Sequence, residues 1–353
     1  MAAIKVLIVD DSAVVRNILS TELSKDPSIE IVGTAPDPYI ARDKILNLKP
    51  DVVTLDVEMP RMDGITFLSK IMQYHPLPVI ILSSLTPAGC ATTLKALELG
   101  AIDVMQKPEL DVSHKLHELI IVLSEKIKGA ALAKSHVAVK QRAVTKNPVQ
   151  MSSMIETTDK IVAIGSSTGG TEAIRAIIPN LPANFPGIVI TQHMPENFTK
   201  SFADSLNAQS RMEVREAQDN DTVRPGLVLI ARGNYHMLLK RSGARYYVQV
   251  KDGPLVCRQR PSVEILFESV AKYAGSNAVG LMLTGMGNDG AQGMKKMKEA
   301  GAYTLAQSER TCVVYGMPKE AVKAEAVNEI IDLEDIPSKL VYCVQKQTRT
   351  QDT

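Results

Sequence analysis

Ile161-Val162-Ala163-Ile164-Gly165-Ser166-Ser167-Thr168-Gly169-Gly170 is the stretch that decides how this chain is read. Four apolar residues run into a turn of glycine, serine and threonine, and a helical pattern follows over residues 171–178. Strand, small turn and helix in that order build a parallel α/β sheet. Read as Gly165-x-Ser167-x-Gly169, the turn also matches the pattern that lifts a serine nucleophile above such a sheet. Gly- and Ser-rich turns after strands equally bind phosphate through backbone N–H groups. What else ends at the same sheet edge must choose between them.

The same alternation extends outward in both directions. Toward the N-terminus, apolar runs at residues 6–9, 29–32, 52–55, 79–82 and 102–105 are separated by helical periods such as Val14, Val15, Ile18, Leu19 and Leu23. A last amphipathic helix is expected over residues 113–128. Five strands and five helices predict a flavodoxin-like doubly wound parallel sheet. Over residues 129–158 the pattern fades and unpaired cations appear at Lys134, Lys140, Arg142 and Lys146, which reads as a linker. A second α/β domain follows over residues 159–344, with strands at 161–164, 187–191, 227–230 and 279–284. Residues 246–250 alternate like one strand of an antiparallel hairpin. Residues 345–353 read as a polar, frayed tail.

A chain of 353 residues accommodates two such domains. Its formal net charge of +1 gives no reason to expect nucleic-acid or membrane attraction. Cys90, Cys257, Cys312 and Cys343 are scattered, with no Cys-x-x-Cys pair, as expected of reduced cysteines in a cytoplasmic protein. The first residues do not read as a signal peptide, and no apolar stretch approaches the roughly 18 residues that span a bilayer.

In the first domain, Asp10 and Asp11 end one strand, Asp56 another, Ser83 a third and Lys107 a fourth. In a parallel sheet these carboxyl ends meet at one edge. Carboxylates gathered there require a cation, and oxygen ligands favour Mg²⁺. Asp56 is then the natural nucleophile toward a phosphoryl group, with Lys107 to hold its oxygens and Ser83 to sense it. A single aspartate at a strand end would more simply cap a helix; an Asp pair, a third Asp and a Lys-Pro at successive strands favour the pocket.

In the second domain, Ser167, His193 and Asp289 each lie just past an apolar strand. Histidine as general base and aspartate as its orienting partner complete a serine-hydrolase constellation. His236 competes with His193 for the role of base, and Cys312 reads as a core residue. The order Ser, His, Asp differs from the Ser, Asp, His of the α/β-hydrolases. A non-enzymatic switch that binds phosphate or a nucleotide on the Gly165–Gly170 turn remains the alternative.

Two resemblances cover nearly the whole chain. Asp10-Asp11, Asp56-Val57-Glu58-Met59-Pro60, Met62-Asp63-Gly64, Ser83 and Lys107-Pro108 resemble the receiver domain of two-component response regulators. That resemblance implies a phosphoacceptor at Asp56 and a Mg²⁺ site of Asp10, Asp11, Asp56 and the Glu58 carbonyl. Val104 stands where many receivers carry an aromatic switch residue. Residues 164–173, Thr191-Gln192-His193-Met194-Pro195, Arg260-Pro261-Ser262-Val263, residues 283–290 and residues 312–318 resemble the chemotaxis protein-glutamate methylesterases. On that family's pattern Ser167, His193 and Asp289 are the triad, and Thr168 and the Met286 backbone stabilise the oxyanion. The resemblance implies hydrolysis of glutamyl methyl esters on chemoreceptor helices, with glutamine deamidation as a related activity. It also implies a chemotaxis histidine kinase as phosphodonor, no cofactor for the ester step, and a resting receiver that covers the active-site rim.

Overall fold

The computed structural model describes residues 3–83, 87–107, 113–133 and 160–349. The chain divides into two compact units, Met1–Ala143 and Val144–Thr353. The first contains β1 (Ile4–Val9), α1 (Ala13–Leu23), β2 (Ile29–Ala35), α2 (Pro38–Leu48), β3 (Val52–Asp56), α3 (Gly64–Tyr74), β4 (Val79–Ser83), α4 (Pro87–Glu98), β5 (Asp103–Gln106) and α5 (Ser113–Leu132). All strands pair in parallel, in the order β2-β1-β3-β4-β5. This is the doubly wound order expected, and its switch point lies between β1 and β3. β3 and β4 are buried along their whole length, as strands covered on both faces must be.

The second unit contains β6 (Ile161–Ser166), α6 (Gly170–Ile177), β7 (Gly187–Gln192), α7 (Phe198–Asn207), β8 (Glu213–Glu216), β9 (Leu227–Ile230) and the hairpin β10 (His236–Ser242) with β11 (Arg245–Lys251). It continues with α8 (Val263–Tyr273), β12 (Ala278–Met282), α9 (Ala291–Glu299), β13 (Tyr303–Gln307), α10 (Met317–Lys323), β14 (Glu329–Ile331) and α11 (Ile336–Arg349). Seven parallel strands run in the order β14-β13-β12-β6-β7-β9-β8, and β10 pairs with β11 antiparallel as a separate ribbon. The chain winds outward from β6 through β7 in one direction and returns to place β12 on its other side. The crevice at the carboxyl ends of β6 and β12 is therefore the switch point.

One face of this sheet packs Ile161, Ala163 and Val189 against Val263, Leu266, Phe267 and Val270 of α8, with Met294 and Met297 of α9 beside them. Gly165 is small for that reason: a Cβ there would lie 2.2 Å from Val263 Cγ1. The largest departures from the sequence reading are at the C-termini of two helices. α5 runs four residues past 128, because Ala130 is buried and continues its apolar face. The rest of the expected linker, residues 134–158, lies outside the described residues. α11 continues to Arg349, through residues expected to fray, since Gln, Lys and Arg are good helix formers. Residues 350–353 lie outside the described residues. No described helix is long and apolar enough to cross a membrane.

Candidate active site and phosphoacceptor pocket

Parallel pairing of β6 with β7 sets Ser166 opposite Gln192, so Ser167 and His193 leave adjacent strands at the same level. The His193 N–H donates to the Ser166 carbonyl at 3.1 Å, which continues the ladder one step. The Gln192 side chain ties the two strand ends. Its Nε2 donates to the carbonyls of Ser167 at 2.9 Å and His193 at 3.3 Å, and its Oε1 accepts from Ser166 Oγ at 2.6 Å. Ser166 is thus a structural serine, and Ser167 carries the remaining hydroxyl of the pair. Gly170 must lack a Cβ because one there would fall 2.2 Å from Gln192 Oε1.

The loop after β12 closes the other side. The Ser167 N–H donates to the Thr284 carbonyl at 3.0 Å. Thr284 Oγ1 donates to the Thr168 carbonyl at 3.0 Å and accepts from the Val314 N–H at 2.9 Å. Gly285 packs so closely that a Cβ would lie 2.7 Å from Ser167 Cβ. Of the two expected oxyanion positions, Thr168 follows Ser167 in its own turn and Met286 follows Gly285 in the neighbouring loop. The N-terminus of α6 begins three residues past Ser167 and adds its positive dipole end.

His193 and Asp289 form a buried pair, with Nε2 and Oδ2 2.7 Å apart. The other ring nitrogen, Nδ1, is buried with no hydrogen-bond partner. Asp289 also accepts from Ser262 Oγ at 2.7 Å, the Val263 N–H at 2.7 Å and the Glu264 N–H at 3.0 Å. Burial pushes the Asp289 carboxyl up, but His193, Ser262 and the Glu264 amide outweigh it and hold it below the usual range. Glu264 returns the arrangement by accepting the Gly290 N–H at 3.1 Å, at the start of α9.

His236, the competing base, is engaged elsewhere: Nε2 lies 2.8 Å from the Pro254 carbonyl and Nδ1 accepts the Ser262 N–H at 3.3 Å. Cys312 is a core residue whose thiol burial pushes up to about 12. Cys257 lies near Asp289, and burial followed by that charge pushes its thiol up to about 11, so it stays neutral. Sequence reasoning assigned no role to Gln192 or Ser262, although both lie in segments quoted for the resemblance; each acts through a tertiary contact.

In the first unit, carboxylate oxygens of Asp10, Asp11 and Asp56 lie within 4.8 Å of one another. Lys107 Nζ stands 2.5 Å from Asp56 Oδ2 and 3.2 Å from Asp10 Oδ2. Its backbone N–H donates to the Ser83 carbonyl at 3.0 Å, which sets it beside β4. Asp56 Oδ1 accepts the Glu58 N–H at 3.0 Å. Arg16 pins the end of β1 by donating to the carbonyls of Asp10 at 2.7 Å and Asp11 at 2.9 Å. Burial pushes Asp56 up to about 6, against the pull of Lys107. Three carboxylates against one ammonium leave excess negative charge. Asp10 Oδ2 and Asp56 Oδ2 are buried and, among the described residues, face no donor but that ammonium. The cluster is compatible with Mg²⁺, a hard cation that takes oxygen ligands. Val104, at the usual aromatic position, is buried in β5 opposite Ile81 of β4.

Residues 162–340 match the family model of the CheB methylesterase, and residues 6–120 match that of the response regulator receiver domain. The chain is 54% identical, over 98% of its length and 100% of the relative's, to protein-glutamate methylesterase/protein-glutamine glutaminase 2 of Syntrophus aciditrophicus. It is 53% identical to the protein-glutamate methylesterase/protein-glutamine glutaminase of Bdellovibrio bacteriovorus, over 98% of each chain. The crystal structure of the Thermotoga maritima CheB methylesterase catalytic domain superposes with a TM-score of 0.51 at 40% identity, covering 53% of this chain and 99% of that one. Fold and matches together define a response regulator whose receiver is joined to a hydrolase domain. The chain belongs to the CheB methylesterase family. The alternative of a non-enzymatic phosphate-binding turn is not favoured, and the turn has already donated its Ser167 and Gly170 amides internally.

Proposed function

We propose that this protein hydrolyses glutamyl γ-methyl esters on the cytoplasmic helices of chemoreceptors, with Ser167, His193 and Asp289 as its triad. The His193–Asp289 pair carries the reading. Its Nε2 is bound to a buried carboxylate, while Nδ1 is buried without a partner at the end of the strand next to Ser167. His193 Nδ1 takes the Ser167 proton as Oγ attacks the ester carbonyl. The carbonyl electron pair moves onto oxygen, beside the backbone amides of Thr168 and Met286. Collapse of the tetrahedral intermediate breaks the acyl–oxygen bond, and His193 returns its proton to the departing methanol. Water, deprotonated by His193, then releases the glutamate and frees Ser167. With glutamine as substrate the same steps expel ammonia, as the relatives' names suggest. The ester step uses no cofactor.

Asp56 is the proposed phosphoacceptor, with Lys107 and Ser83 on the phosphoryl group. Asp10, Asp11, Asp56 and the Glu58 carbonyl would hold Mg²⁺, which would offset the negative charge of the pocket and of the incoming phosphoryl group. A histidine kinase of the chemotaxis system is the donor, and the protein works in the cytoplasm.

Methanol release from methylated receptor membranes tests the reading. Wild type should release methanol and Ser167→Ala should not; equal release by both would remove Ser167 from the chemistry. A serine-directed fluorophosphonate should label wild type and leave Ser167→Ala unlabelled.

A further inference from the structure

Ser262 occupies the N-cap of α8 with extended backbone, φ −111° and ψ 136°, yet its hydroxyl makes no capping hydrogen bond. A serine at that position ordinarily accepts an amide of the first turn. Here the hydroxyl instead donates to Asp289 Oδ1 at 2.7 Å, and the Asp289 carboxylate accepts the Val263 and Glu264 amides in its place. The capping duty has passed from the N-cap residue to the carboxylate that faces His193. Val263 N–H lies on Oδ2, the oxygen shared with His193. Ser262 lies on Oδ1 together with the Glu264 N–H. A side-chain donor on Oδ1 opposes rotation of the carboxylate about its own axis and so keeps Oδ2 on His193.

His236 sets Ser262 in turn. A carbonyl only accepts, so His236 Nε2, 2.8 Å from the Pro254 oxygen, carries the ring proton. Nδ1 then presents a lone pair, and the Ser262 N–H donates to it at 3.3 Å. The ring is buried, and Gly253 lies against it closely enough that a Cβ would come within 3.2 Å of Cδ2.

We propose that Ser262 is a positioning residue for the triad, held in place by His236, so that the domain's second buried histidine serves the reaction without touching the substrate. The inference rests on the reading of Ser167, His193 and Asp289 given above.

The experiment compares full-length wild type, Ser262→Ala, Ser262→Thr, His236→Asn and His236→Leu for methanol release from methylated receptor membranes, with thermal melting measured alongside. Ser262→Ala keeps the amide and the helix but loses the donor to a charged group. Its kcat should fall on the order of 10-fold with KM changed less than about twofold. Ser262→Thr, which retains the hydroxyl, should recover most of kcat. His236→Asn offers an oxygen in place of Nδ1 and should lose less kcat than His236→Leu, which offers none. A Ser262→Ala kcat equal to wild type overturns the proposal. So does a loss that falls equally on KM, or one that Ser262→Thr shares in full. Should Ser262→Ala melt below the assay temperature, the two His236 variants decide: equal kcat in both overturns the proposal. If wild type releases no methanol, the underlying reading fails; if only the Ser262 and His236 variants behave as wild type, the reading stands and this inference falls.

Discussion

Gln192 is buried and uses its whole amide, two carbonyls on the nitrogen and one hydroxyl on the oxygen. Gln192→Met keeps its volume and removes those three hydrogen bonds, leaving the Ser167 carbonyl with the Gly170 N–H alone. It should cost about 1–3 kcal/mol in denaturant unfolding and slow fluorophosphonate labelling of Ser167 several-fold. Labelling at the wild-type rate would show that the clamp is dispensable. Asp56 offers a test of opposite sign. Its folded value, about 6, lies above the ordinary 3.8, so between those pH values the folded state keeps a proton the unfolded chain has lost. Stability is then lost as pH rises from 3.8 to about 6. Asp56→Asn should stabilise the Mg²⁺-free receiver by about 1–3 kcal/mol at neutral pH, and the gain should vanish toward pH 3.8. Urea unfolding across that range checks it. The aspartates and Lys107 were legible in the sequence because each ends an apolar run. The value near 6 was not, since burial and the distance to Lys107 set it.

At the scale of elements, α8 and α9 exchange caps: Asp289, just before α9, receives the first amides of α8, and Glu264 of α8 receives the Gly290 amide. The position of Asp289 thus depends on how α8 sits on β6. Gly165→Ala would drive a methyl into Val263 and Phe267 and lift that helix. Expected are a loss of about 1–3 kcal/mol in stability and a kcat decrease larger than any change in KM. A variant with wild-type melting and activity would show that the helix has room to shift. The strands of the sheet centre were legible from their apolar runs. β8, β13 and β14 were not: Glu213–Glu216 holds one apolar residue, Thr304 interrupts the apolar run of Tyr303–Gln307, and Glu329–Ile331 has only three residues in all; β8 and β14 lie at the sheet edges. Edge strands bury less and need less apolar sequence.

For the whole molecule, a receiver joined to a hydrolase predicts control by phosphorylation. A small-molecule phosphodonor with Mg²⁺ should raise methanol release by wild type and leave Asp56→Asn at its basal rate. Deleting residues 1–150 should raise the basal rate; an unchanged or lower rate would argue against restraint by the receiver. With Val104 buried in place of an aromatic residue, the response does not use an aromatic rotamer at that position.

The sequence by itself determined that there are two parallel α/β units and that Ser167, His193, Asp289, Asp56 and Lys107 leave their strands at carboxyl ends. Period and chain order are local properties, and parallel sheets gather their carboxyl ends at one edge. Only the tertiary structure decided that His193 pairs with Asp289 while His236 is held by Pro254 and Ser262, that Gln192 engages the Ser166 hydroxyl, and that Ser262 lies on the Asp289 carboxylate. Those assignments depend on hydrogen bonds between residues far apart in the chain, such as Gln192 to Ser167 and Ser262 to Asp289. Such bonds have no period, so they form only when strand order and helix packing bring their partners within reach.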